Sequence, residues 1–349
     1  MNLTQLCENG WVPDWATRFG MRNLNRQRAI QEGWMNPAVR RIRRDRFFAA
    51  RREGDVAPHG EAAREQHYEV PAPFYEVTLG PRLKYSSGWF EGGRETLADG
   101  EEAMLRITAE RAGIEDGMKV LDLGCGWGSV SLYLAEHFPK AKITAVSNSA
   151  SQKAFIDGRA QRLGLKNLTV ITEDVNTFDT EDRFDRVVSV EMFEHLNNYA
   201  ALLERIAGWL TAEGRVFIHI FCHREYAYPF EDELGEENNW MARYFFSGGL
   251  MPSFDVFERL AGALVQEQSW WVNGRHYERT CNLWLENLDA RRERVADICR
   301  MTYGDHEATV WVQRWRMFFM ACAELFGMSG GQRWGVGHFL LRPRRIKPS

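Results

Sequence analysis

The segment Val120-Leu121-Asp122-Leu123-Gly124-Cys125-Gly126-Trp127-Gly128 constrains this chain more than any other. An apolar run enters a glycine-rich turn, and Ser129 to Phe138 follows with apolar residues at helical spacing. That is strand, tight turn, helix. Glycine lets a backbone approach a ligand closely, and a helix start presents N–H groups without helical partners. Many turns of this kind are purely structural. Here the Asp just before the glycines and the strand–helix context favour a nucleotide-type ligand.

A dinucleotide site would place Asp or Glu at the end of the second strand, on the ribose hydroxyls. The second expected strand, Lys142–Val146, runs instead into Ser147-Asn148-Ser149. The glycine spacing is Gly-x-Gly-x-Gly, and no phosphate-binding Lys-Ser/Thr pair follows. The loop resembles the S-adenosylmethionine site of a Rossmann-type methyltransferase, where no pyrophosphate must be cradled.

A chain of 349 residues can bury a large core, as one elaborated domain or two. The net charge of -4 carries no global nucleic-acid signature. The six cysteines (Cys7, Cys125, Cys222, Cys281, Cys299, Cys322) are scattered without a Cys-x-x-Cys pair, so neither a disulfide scaffold nor a zinc site is expected. No apolar run is long enough to span a bilayer, and the N-terminus lacks a signal-peptide pattern. The expected location is cytoplasmic, and a homodimer is left open.

Residues 1–65 read as a basic helical region, Arg-rich from Arg18 through Arg52, with Trp11, Trp15, Trp34, Phe47 and Phe48 interspersed. Such a face could make peripheral contact with an anionic membrane or meet an acidic substrate. The favoured reading is a solvated helical face whose aromatic residues anchor on the body. The body, 66–349, alternates strands at Lys119–Leu123, Lys142–Val146, Leu168–Thr172, Arg186–Val190 and Arg215–Phe221 with helices, the first helix spanning Leu97 to Ala112. This implies an α/β fold with a doubly wound, mostly parallel sheet. Further strands are expected near Leu264–Val272 and Val336–Arg342. Residues 222–253 break the alternation and are polar and aromatic, which suits an insertion covering the site.

Two places carry chemistry. The third strand ends in Glu173-Asp174-Val175. Asp174 is expected to accept from an adenine amino group, or to cap a small helix. The fourth strand runs into Glu191-Met192-Phe193-Glu194-His195, and its position at the sheet edge turns these side chains toward the crevice. Two carboxylates beside an imidazole form an acid–base group, with Glu194 or Glu191 raising the His195 pKa and orienting its ring. An imidazole near neutrality can take a proton from a substrate ammonium. The carboxylates can also hold a cationic substrate. The bland alternative is a helix start whose acidic residues favour its dipole.

Tyr85-Ser86-Ser87-Gly88-Trp89-Phe90, the Asp122–Gly128 turn, Val146-Ser147-Asn148-Ser149-Ala150-Ser151-Gln152 and Glu191–His195 resemble the cyclopropane-fatty-acid-synthase superfamily of S-adenosylmethionine-dependent methyltransferases. Within it the chain is most similar to the coclaurine N-methyltransferase-like branch, from Tyr68 to Leu341, and its Arg-rich start suggests a bacterial member. The resemblance implies S-adenosylmethionine bound by Tyr85, Ser86, Gly124, Asn148, Gln152, Asp174 and Val175, with Asp122 and Gly126 of the turn beside them. It implies acid–base work by Glu191, Glu194 and His195. Tyr68, Trp315 and Phe318 would line an amine pocket, with Phe221, His223 and Tyr277 in the same substrate set.

The two branches differ by residue. The lipid-modifying branch is similar to this chain at Glu194, His219 and Tyr277, which there help bind a bicarbonate base, but it usually carries Gly where Glu191 stands and Cys where Ser87 stands. A carboxylate at Glu191 would crowd bicarbonate and suit a cationic amine. The expected function is therefore N-methylation of a small, partly aromatic, tetrahydroisoquinoline-like amine. The alternatives are methyl or methylene transfer to an unsaturated acyl chain, and a non-catalytic cofactor-binding protein. The intact glycine turn and Glu191/Glu194/His195 argue against the last.

Overall fold

A computed structural model describes residues 2–58, 70–231 and 240–344. Among these, β1 (Lys119–Leu123), β2 (Lys142–Ser147), β3 (Leu168–Thr172), β4 (Phe184–Val190), β5 (Leu210–His223), β8 (Leu264–Asn273) and β9 (Trp334–Pro343) form one sheet. Its order is β3-β2-β1-β4-β5-β9-β8. The strands from β3 to β5 run parallel, and β9 is antiparallel to both β5 and β8. Two short strands, β6 (Tyr228–Pro229) and β7 (Leu250–Met251), pair with each other outside it.

The central strands are apolar in sequence because both faces are covered. Val120 and Leu121 point to opposite faces of β1 and are both fully buried. β1 has β2 on one side and β4 on the other, so the chain's winding reverses there, and a crevice opens beyond the carboxyl ends of β1 and β4. β5 is longer than its apolar run, starting at Leu210 because that residue already pairs with Phe184 of β4. The helix Leu97–Ala112 covers one face. It starts with a capping box, in which Thr96 Oγ accepts from the Asp99 amide and the Asp99 carboxylate accepts from the Thr96 amide. It ends at Gly113 in the left-handed region (φ +63°), with Arg111 in its last turn.

The N-terminal helices, Leu3–Glu8, Asp14–Gln31 and Pro37–Ala50, dock on the body chiefly through charge. Arg18 and Arg22 pair with Glu324, and Arg316 bridges Asp14 and Asp289. Phe47 and Phe48 are buried as anchors, as expected of aromatic residues there. Trp11, between the first two helices, and Trp15 are not, lying 66% and 73% exposed. No described helix is long and apolar enough to cross a membrane.

Candidate active site

A cavity occupies the crevice beyond β1 and β4. Its wall at the first strand is the glycine turn, and Tyr85, Ser86, Asp122, Gly124 and Gly126 all line it. Gly126 has φ +52°, and a Cβ built there would meet nothing within 4 Å, so the backbone itself faces open space. Asp122 is buried, accepts from Ser131 Oγ, and burial pushes its carboxyl up to about 6. Ser129 Oγ in the wall, and Gln152 Nε2 in the first turn of the helix Ala150–Leu163 after β2, are buried without a hydrogen-bond partner among the described residues. Buried polar atoms left in this state are what a bound ligand satisfies.

Three expected cofactor residues stand further out. Asn148 is half-buried at the end of β2, and Val175 packs partly on the apolar core. Asp174 does not cap a helix. Its Oδ1 accepts from the Asn176 amide at 2.7 Å and closes a turn, because no helical run follows before Phe178.

The opposite wall is built around Glu191. The chain leaves β4 through this residue with φ +50°, a left-handed conformation costly for a side chain with a Cβ. The Glu191 amide donates to His219 O at 2.8 Å, which ties that conformation to β5. The carboxylate accepts from Tyr277 OH at 2.6 Å on Oε2, and His219 Nε2 lies 3.2 Å from Oε1. Burial pushes Glu191 up to about 7, opposed by the Lys84 ammonium and the Tyr277 hydroxyl. Lys84 is itself buried in the same wall, with Nζ donating to Ser86 Oγ and to Ser87 O at 2.9 Å, and burial draws it down to about 8. Each charge offsets part of the other's desolvation, but burial has the larger effect on both.

His195 lines the cavity from a single 3-10 turn, Phe193–His195, rather than a longer helix, and stacks on Phe246 with ring centroids 4.3 Å apart. Glu194 turns inward. Its Oε1 accepts from the Phe221 amide at 2.7 Å, its Oε2 has no hydrogen-bond partner among the described residues, and burial raises its pKa well above the usual range. A neutral, buried Glu194 is a brace between this turn and β5, whereas the sequence reading gave it a charge beside the imidazole. Phe221, Phe230, Phe246, Phe318 and Trp284 complete an aromatic lining.

The substrate residues expected from sequence divide. Phe221, Tyr277 and Phe318 line the cavity. Trp315 lies behind Phe318, fully buried against Phe74 and Phe245, because Phe318, Cys322 and Leu325 of the same helix take the cavity side. His223 is also outside the wall. Its Nδ1 accepts from the Glu225 and Tyr226 amides, its ring stacks on Tyr226, and burial draws its pKa down to about 3. Tyr68 falls outside the described residues. Lys84, by contrast, escaped the sequence reading although it directly precedes Tyr85. A lone lysine beside an apolar residue gives no periodic signal, and only burial reveals it.

A glycine turn at a topological switch point, with no pyrophosphate cradle and with the reacting groups on the neighbouring strand, defines a Rossmann-type S-adenosylmethionine-dependent methyltransferase. Residues 57–332 match the family model described as mycolic acid cyclopropane synthetase, and the chain belongs to that family. It is similar to (S)-coclaurine N-methyltransferase of Thalictrum flavum subsp. glaucum, 36% identical over 297 residues that cover 84% of this chain and 82% of that protein. Pavine N-methyltransferase of the same plant is 31% identical over 347 residues, covering 98% and 97%. The crystal structure of coclaurine N-methyltransferase bound to N-methylheliamine and SAH matches with a TM-score of 0.93 at 31% identity, covering 97% of this chain and 98% of that one. S-adenosylmethionine is the cofactor, and the open backbone at Gly126 with the unpaired Ser129 and Gln152 atoms fits it.

Proposed function

We propose that the protein methylates the nitrogen of a small, partly aromatic amine of the tetrahydroisoquinoline type. The observation that carries this reading is Glu191, a carboxylate held in an aromatic-lined cavity with the Tyr277 hydroxyl donating to it and the His219 ring against it. In the lipid-modifying branch the corresponding donors serve bicarbonate and a Gly replaces the glutamate. Here the chain supplies its own anion. A carboxylate among aromatic faces suits an ammonium carried on a ring system. The names of the two relatives, both alkaloid N-methyltransferases, support an amine over an acyl chain.

Bound at the glycine turn, S-adenosylmethionine supplies an electrophilic methyl group. Tyr85, Ser86, Asp122, Gly124 and Gly126 hold it, with Asn148, Gln152, Asp174 and Val175 in supporting positions. Glu191 attracts and orients the acceptor ammonium. The nitrogen must lose a proton before its lone pair can form the new N–C bond, and His195, on the same wall, takes it. Phe221, Phe246, Phe318 and Trp284 fix the ring system and exclude water. Alignment of this kind is worth up to ~7–11 kcal/mol of barrier. Phe230, Met241, Phe246 and Met251, from the described parts of the 222–253 segment, wall the cavity and act as the substrate cover. Six cysteines without a disulfide fit a cytoplasmic location.

Turnover of labelled S-adenosylmethionine decides the reading. Label is expected in tetrahydroisoquinolines from an amine panel and not in vesicles of unsaturated phospholipid. The reverse distribution overturns it.

A further inference from the structure

The helix carrying Arg111 ends over the sheet where β5, β9 and β8 lie side by side. The register sets His219 of β5 directly opposite His338 of β9, and His338 opposite Trp270 of β8. Arg111 reaches in over Trp270, with its guanidinium 5.1 Å from that ring and 5.6 Å from the Trp89 ring. Its Nη1 lies 2.7 Å from His338 Nδ1. His338 Nε2 lies 2.9 Å from His219 Nδ1, and His219 Nε2 lies 3.2 Å from Glu191 Oε1. Both histidines are fully buried. One continuous line of side chains thus runs from Arg111 to the carboxylate in the cavity.

The direction of this line follows from its first member. A guanidinium only donates, so His338 Nδ1 must accept and carries no proton. Burial, together with the Arg111 and Lys84 charges, holds both imidazoles neutral. A neutral His338 therefore bears its proton on Nε2 and donates it to His219 Nδ1. His219 in turn bears its proton on Nε2 and donates to Glu191. Every N–H in the line points at the carboxylate.

We infer that Arg111 is a positioning residue that holds Glu191 as an acceptor, acting through the fixed tautomers of His338 and His219. The inference rests on Glu191 being the group that meets the amine. Other groups also face this carboxylate. Tyr277 donates to it, Lys84 and the Ser87 amide favour its charge, burial opposes it, and Glu194 beside it is held in the neutral form by its own burial. Glu101 lies behind Lys84, and Cys281 and Cys322 lie beside Tyr277. Only the line from Arg111 fixes which proton His219 presents. Without the guanidinium, both imidazoles are free to reverse. His219 Nε2 then accepts a proton from Glu191 rather than donating one, and the neutral carboxyl becomes the favoured form.

The test combines two readouts. Nitrogen-15 NMR of histidine-labelled protein, with the His338 signals assigned by their loss in His338→Gln, should show His338 and His219 protonated on Nε2. The acid limb of kcat/KM for tetrahydroisoquinoline should move upward by about one pH unit or more in Arg111→Met. Arg111→Lys, which keeps a cationic donor, should restore most of it, and SAH affinity should stay constant throughout. A wild-type His219 unprotonated on Nε2, or an unchanged limb in a folded Arg111→Met, overturns the inference. If the wild type does not turn over the amine, the acceptor reading has failed, and the tautomers alone then decide the relay. A variant that does not fold leaves the same wild-type spectrum to decide it.

Discussion

At the cofactor end of the cavity one contiguous stretch, Asp122 to Ser129, supplies the turn, the open backbone and the unpaired hydroxyl. At the acceptor end Lys84, Glu191, His195, Tyr277 and Phe318 come from segments distant in sequence and meet only in the folded chain. The first end works by shape, through backbone conformations that glycine permits. The second works by charge in a buried wall, where Glu191 is strained, desolvated and held by donors from two other elements. Damage to the first should therefore appear as lost cofactor binding. Damage to the second should appear in turnover, in the Michaelis constant of the amine and in pH dependence.

The largest effect is expected at His195. Loss of a general base typically costs ~10²–10⁴-fold in rate, and His195→Ala should show this in kcat with SAH affinity unchanged by calorimetry. A matching fall in SAH affinity would erase the distinction between the two ends. Next comes Gly126→Val, in which a branched side chain enters the open space at φ +52°. SAH binding should weaken by more than about 100-fold, with the melting temperature as a control for folding.

Glu191→Gln should act on the amine alone. A hydrogen bond to a charged group contributes about 1.5–3 kcal/mol, so the Michaelis constant should rise roughly 10- to 100-fold. The pH dependence has a definite sign. Burial raises Glu191 to about 7, so the carboxylate is lost as pH falls through that value, and kcat/KM should fall with it. The limb that Glu191 sets should be lost or displaced in Glu191→Gln. An identical limb in that variant would remove Glu191 from the titration.

The smallest change in catalysis is expected at His223. It accepts from two backbone amides outside the cavity wall, and His223→Ala should cost about 1–3 kcal/mol of stability by leaving them unsatisfied. The Michaelis constant for the amine should remain within about twofold. A large rise would put His223 back with Phe221 and Tyr277.

How far the sequence could be read follows the same division. The strands Lys119–Leu123 and Leu168–Thr172 and the helix Leu97–Ala112 were legible because their apolar spacing alternates cleanly between strand and helix there. The glycine turn was legible because its ligand-facing atoms are local. Glu191 and His195 were legible as a cluster at a strand end. Their surroundings were not. Nothing in the order of residues says that Glu194 turns to the Phe221 amide, that Trp315 stands behind Phe318, or that β9 returns antiparallel and sets His338 against His219. Those facts depend on strand register and on which side of a helix meets the cavity. Lys84 and Arg111 look like ordinary surface cations until their burial is known.

N-methylation itself is tested most directly by mass spectrometry of the products. Wild type and Glu191→Gly would be offered tetrahydroisoquinoline and unsaturated phospholipid vesicles together, with S-adenosylmethionine, in buffer with and without bicarbonate. The wild type is expected to yield the N-methylated amine irrespective of bicarbonate and to leave the acyl chains unchanged, while Glu191→Gly loses most of that product. A wild-type product on the acyl chain that requires bicarbonate, with the amine untouched, would contradict the assignment.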